Sequence, residues 1–190
     1  MKKEKIFAIL IPTLALFVIC LVSAFLLAGT NMLTAERIEE NVRAQAEAKR
    51  KIVFSNAESF GEEKEITVGE KVVTYNEAFD EKGESIGYVF ISTSKGYGGD
   101  VTVMTSIDFT GNVIKSAVLL MDDETPGLGQ NAGKDGFLKQ FENKRGEFAL
   151  TKNGGDIQAV TSATFTSSAV VECVNDAMKA YKQIGGAANG

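Results

Sequence analysis

Six of the eight residues from Thr161 to Ser168 carry hydroxyls, in the run Thr161-Ser162-Ala163-Thr164-Phe165-Thr166-Ser167-Ser168. The run leads straight into a helical pattern. Unpaired amides at a helix start, the helix dipole and small side chains that admit close approach together favour a bound phosphate. The same residues also make an ordinary N-cap with spare hydroxyls, and composition alone does not choose. A second segment, Glu124-Thr125-Pro126-Gly127-Leu128-Gly129-Gln130, sets one proline and two glycines around Leu128. That chemistry builds a tight turn displaying Leu128, either as a site wall or as a plain surface turn. A third, Lys95-Gly96-Tyr97-Gly98-Gly99-Asp100, reads as a hairpin loop with Tyr97 as its cap. It lies between two strand candidates, whereas a dinucleotide fingerprint joins a strand to a helix.

Absences narrow the chemistry further. The chain has no histidine. That removes the commonest general base, the Ser-His-Asp arrangement and most zinc and haem sites. Its two cysteines, Cys20 and Cys173, are too few for an iron–sulfur cluster. No Cys-x-x-Cys-His haem-attachment motif occurs. Redox work in this chain therefore needs an organic cofactor. Cys20 falls in an apolar stretch, so a Cys20–Cys173 disulfide is not expected. No metal site and no catalytic side chain stands out. The net charge of −5 argues against a nucleic-acid partner, whose phosphates call for a basic patch.

These segments must be held by a framework, and the chain supplies one. Strand candidates run over residues 71–78, 87–94, 101–109 and 112–121. In the third, Val101, Val103, Thr105 and Ile107 recur with a period of two. Thr110-Gly111-Asn112 is short enough to make the last two strands an antiparallel hairpin. Phe137, Leu138 and Phe141 suggest a short helix. Residues 166–184 form the clearest helix, with Val170, Val174, Ala177, Met178 and Tyr181 on one stripe and Gly185-Gly186 as its stop. The terminal Ala-Ala-Asn-Gly is expected to fray. Strands followed by helices with short links indicate an α+β fold: one domain with an antiparallel sheet and flanking helices.

Upstream, no residue from Ile6 to Ala35 is charged. The densest part, residues 6–28, is long enough to cross a hydrocarbon core of about 30 Å and longer than the apolar region of a cleaved signal peptide. Lys2, Lys3 and Lys5 precede it, which predicts a cytoplasmic N-terminus and an extracytoplasmic domain. Thr34 is the expected N-cap of a separate helical stalk rich in Ala, Glu, Arg and Lys. The expected organisation is residues 1–35 as stub and transmembrane anchor, 36–65 as stalk and linker, and 66–190 as the outer domain.

Taken together and in order, the Gly-Tyr-Gly-Gly loop, the Glu124-Thr125-Pro126-Gly127-Leu128-Gly129 turn and the Thr161-Ser162-Ala163-Thr164 run resemble the FMN-binding domain family. That family is shared by the G-type subunit of the Rnf electron-transport complex and the C-type subunit of the sodium-translocating NADH:quinone reductase. The compact length resembles the former. The resemblance implies FMN attached through its phosphate to Thr164, installed by a flavin transferase from FAD. It implies Thr161, Ser162 and Ala163 around the phosphate, and Glu124, Thr125, Leu128, Gly129 and Tyr97 along the ring. It further implies an electron-carrying subunit of a membrane complex coupling ferredoxin–NAD electron flow to Na⁺ or H⁺ transport. Other membrane subunits and the lipid bilayer are then its partners. A stand-alone membrane-anchored extracytoplasmic flavoprotein carrier or reductase is the alternative. Three positions depart from the family pattern: Ser162 replaces a glycine, Gln158 an acidic residue and Asp123 a histidine.

Overall fold

The computed structural model describes residues 2–185, so Gly186 and the terminal Ala-Ala-Asn-Gly lie outside the described residues. Helix α1 runs over Lys2–Val53. The chain divides into two units, Met1–Arg43 and Ala44–Gly190. The first unit is helix only. Its apolar side chains from Leu10 to Leu27 point outward, and this is one helix long and apolar enough to cross a membrane. The side chains of Lys2, Lys3 and Lys5, on which the expected orientation rests, are not among those described. Thr34 does not cap a second helix. It sits inside α1, which continues unbroken into the residues rich in Ala, Glu, Arg and Lys, and its hydroxyl donates to the Thr30 carbonyl at 2.9 Å.

The second unit is an antiparallel sheet with helices on it. Its strands are β1 (Ser59–Phe60), β2 (Lys64–Val68), β3 (Lys71–Phe79), β4 (Ser85–Lys95), β5 (Asp100–Asp108) and β6 (Val113–Leu120). The order is β1-β3-β4-β5-β6, and β2 also pairs with β3. Four strands fall where the alternation places them. β1 lies in the expected linker and β2 crosses its boundary at residue 65, where polar residues mask the period. After β6 come a 3₁₀ turn (Gly129–Gly133), the short α2 (Asp135–Leu138), two further 3₁₀ turns and α3 (Thr164–Gln183). The α+β class expected from the sequence is the one observed.

The alternation in β5 identifies only one of two buried faces. Val101, Val103 and Ile107 join Phe90 and the α3 residues Val170, Val174, Ala177, Met178 and Tyr181 in the main core. Thr102, Met104 and Ser106 face the other way and are buried as well. That face is covered by the end of α1, within the second unit. Val53 and Phe54 are buried there, and the Ser106 hydroxyl donates to the Val53 carbonyl at 2.6 Å. Both cysteines are free. Cys173 lies in the core under α3, where burial pushes its thiol up to about 12 and leaves it unreactive.

α3 is fastened to the sheet by an ionic cluster at its middle. The Lys71 ammonium on β3 reaches Glu172 at 2.7 Å and Asp176 at 3.1 Å. The Ser94 hydroxyl donates to the second Glu172 oxygen at 2.6 Å. The start of α3 is thereby held at the end of the sheet where the β4–β5 loop and the segment after β6 come together.

Candidate functional site

A cavity of about 340 Å³ opens at that end of the domain. Its walls are Tyr97, Glu124, Thr125, Leu128 and Gly129, together with residues 162–166 at the start of α3. Every site residue anticipated from the sequence lines this one space except Thr161, which is exposed on the adjoining turn. Phe165 and Thr166 join them and were not anticipated. Three segments far apart in the chain therefore meet, at a volume in the usual range for small ligands.

Glu124 holds the three segments together. It is only 2% exposed. One carboxylate oxygen accepts the amides of Tyr97 at 2.7 Å and Gly98 at 3.0 Å. The other accepts the Thr166 hydroxyl at 2.7 Å. The glycines follow from this close approach. A Cβ at Gly96 would stand 2.2 Å from one Glu124 oxygen, and one at Gly129 would stand 2.3 Å from the other. At Gly98 it would meet the Asp123 carbonyl oxygen at 2.0 Å. The Gly-Tyr-Gly-Gly loop is thus a surface cut to fit Asp123-Glu124. Next along the chain, the Leu128 amide closes a turn on the Thr125 carbonyl at 3.1 Å. Pro126 and Gly127, with φ +78°, occupy its corner as a type II turn requires.

The hydroxyl-rich segment has its own internal bracing. The Ala163 amide bonds the Val160 carbonyl at 3.0 Å. The turn so closed has Ser162 in the left-handed region, at φ 62°. That is where the family pattern has glycine. Ser167, fully buried, accepts the Val160 amide at 3.0 Å and donates to the Ala163 carbonyl at 2.9 Å. Ser168 donates to the Thr164 carbonyl at 2.9 Å. Three of the six hydroxyls are therefore engaged. Thr164 is the first residue of α3, half-buried against the cavity, and its hydroxyl makes no hydrogen bond among the described residues. Ala163, at the N-cap, supplies no side-chain cap. The amides of Thr164, Phe165 and Thr166 belong to the first turn and have no acceptor within the helix. They and the helix dipole are available to an anion seated at Thr164.

The rim is apolar. Tyr97 is 77% exposed and Phe165 73%, with ring centroids 6.4 Å apart, and Leu128 is also exposed. Exposed apolar groups gathered around one opening mark a place where something binds. Of the other departures from the family pattern, Gln158 lies outside the cavity wall, whereas Asp123 backs the Gly98-Gly99 part of the loop. Gln158 is exposed, with its backbone held by the Gln140 side-chain amide. Asp156 pairs with Lys144, which holds its carboxyl below the usual range.

The arrangement suits a ligand with a phosphate at the helix start and a flat apolar body at the rim. Two family models match: an FMN-binding domain over residues 96–179 and an RnfG N-terminal region over residues 1–50. The chain is 34% identical to the G-type subunit of the proton-translocating ferredoxin:NAD(+) oxidoreductase complex of Clostridium ljungdahlii, over 93% of this chain and 92% of that one. It is 36% identical to the G-type subunit of the Na(+)-translocating ferredoxin:NAD(+) oxidoreductase complex of Acetobacterium woodii, over 90% of each. The crystal structure of Shewanella oneidensis NqrC aligns with a TM-score of 0.45 and 17% identity, covering 68% of this chain and 67% of that one. With its FMN-binding domain and near full-length likeness to these subunits, the chain belongs to the RnfG family, the G-type subunits of ion-translocating oxidoreductase complexes.

Proposed function

We propose that this chain is the electron-carrying subunit of a membrane complex that couples ferredoxin–NAD electron flow to Na⁺ or H⁺ translocation, with FMN joined through its phosphate to Thr164. The observation that carries the reading is the placement of Thr164. Its hydroxyl, unengaged among the described residues, opens on the first turn of α3, beside amides with no acceptor within the helix, in the cavity walled by the other two motif segments. Bound there, FMN supplies one-electron redox chemistry; the protein positions it and sets its surroundings.

Each part of the site has a task in this reading. Thr164 provides the ester oxygen. Ala163, lacking bulk, leaves room for the phosphate beside Thr161 and Ser162. The first-turn amides hold the remaining phosphate charge. Leu128, Tyr97 and Phe165 cover apolar ring surface, and Thr125 and Gly129 close the wall around Glu124. α1 anchors the domain in the bilayer with its N-terminus in the cytoplasm, so the cofactor works on the outer side. There a covalent tether prevents its loss. A flavin transferase working from FAD installs it, and the other subunits of the complex hold the ferredoxin and NAD sites.

Full-length chain made in cells that contain the transferase should give a band fluorescent under ultraviolet light on a denaturing gel. Thr164→Val should give a dark band at equal protein load. A dark wild-type band under those conditions would overturn the reading. Co-purification with further membrane subunits separates an arm of a complex from a stand-alone carrier.

A further inference from the structure

Glu124 does more than join three segments: it is a buried carboxylate in the wall of a cofactor cavity. All three of its hydrogen bonds are donated to it, two by backbone amides and one by Thr166. An acceptor-only role of this kind is what an ionised carboxylate fills. It makes no ion pair among the described residues. Lys95, the cation at the end of β4, is turned to Asp100 at 2.6 Å. The amides and the start of α3 solvate the charge without cancelling it. A charge in such a place acts over several ångströms with little screening.

We infer that Glu124 is a positioning residue that also sets the electron affinity of the bound flavin, holding its reduction potential down through its negative charge. The inference rests on the FMN reading above. An electron added to the ring brings a second negative charge next to the first, and the work against that repulsion lowers the potential. The motif residue that shapes the cavity thus also fixes how strongly the cofactor donates.

The test is a redox titration of the purified, flavin-carrying full-length chain in detergent. Glu124→Gln keeps the shape and an acceptor oxygen for the two amides but removes the charge. Its reduction equilibrium should shift about tenfold toward the reduced flavin, a rise in potential close to 59 mV for one electron. Thr166→Val keeps the charge and removes one donor that solvates it, so its potential should fall. A purely structural clamp would loosen in both variants, admit water that stabilises the charged reduced ring, and raise both potentials. Flavin-loaded Glu124→Gln with an unchanged or lower potential would overturn the inference. Should Glu124→Gln carry no flavin, Thr166→Val decides alone: a fall supports the inference, and no change or a rise overturns it. A wild-type chain without flavin sinks the cofactor reading and this one together, whereas a loaded chain with an unmoved potential sinks only this one.

Discussion

Ser162 shows how much a single backbone angle costs at the site. At φ 62° an L-residue other than Asn or Asp is strained by roughly 1–2 kcal/mol. Glycine relieves that strain but adds entropy to the unfolded chain, which offsets part of the gain. Ser162→Gly should therefore raise stability by about 0.5–1 kcal/mol, seen as a higher melting temperature. Ser162→Val, β-branched in the same angle, should lower it. A Gly variant that melts lower than wild type would show that the Ser162 side chain contributes something the backbone angle does not explain. At this scale the site was largely legible in the sequence. Hydroxyl-rich and glycine-rich runs are local shifts of composition, so Thr164, Leu128 and the glycines stood out. What stayed hidden was relational. That Gly96 and Gly129 are glycine because a Glu124 oxygen sits on each, or that Thr166 is held by a carboxylate 42 positions away, follows only from the fold.

At the scale of elements, α3 and β3 are tied by Lys71, Glu172, Asp176 and Ser94. The Lys71 hydrogen bond, with help from Ser94, holds the Glu172 carboxyl below its usual 4.5. Partial burial works to lower Lys71, but its bonds to Glu172 and Asp176 outweigh this and raise it above 10.5. The signs fix a window. Glu172, being lowered, stabilises the fold above 4.5 and loses that contribution as pH falls through its folded value. Lys71, being raised, stabilises below 10.5 and loses its contribution as pH rises through its folded value. Lys71→Met should thus cost roughly 1–2 kcal/mol at neutral pH, discounted for the water that reaches the cluster. Denaturant midpoints of the two proteins should converge at both pH extremes; a gap independent of pH would mean that packing, not charge, is what the lysine contributes. The strands this cluster joins were readable because β3 to β6 are apolar, alternate and are punctuated by turns. β2 was not, since Lys64, Glu65 and Thr67 dilute its period and it stands at the margin of the sheet.

At the scale of the whole molecule, the change in composition along the chain does not coincide with the division of the fold. Composition separates an apolar segment from a charged stalk, but the last turns of α1 belong to the domain. Ala46, Val53 and Phe54 are buried, and the Lys49 ammonium donates to the Val118 carbonyl. Charged neighbours conceal this, because the helix turns only a narrow face to the sheet. A chain starting at Ala44 should be soluble and unfold cooperatively. One starting at Ser55 loses Val53 and Phe54, worth about 3–6 kcal/mol of apolar burial, and uncovers Met104. It should melt far lower or aggregate. Equal melting temperatures for the two would show that the sheet face needs no cover.

The cavity has a further property that follows from the order of the chain. Two of its walls lie before residue 130, yet the third is the start of α3, which comes after every other described element. During synthesis the Glu124 carboxylate waits for Thr166, and Thr164 has no cradle until α3 has docked. Under the proposed modification, a transferase that reads the finished cavity would meet only chains that have completed their fold. The attached flavin would then serve as a certificate of assembly, and a chain stalled or misfolded before α3 docks would remain unlabelled.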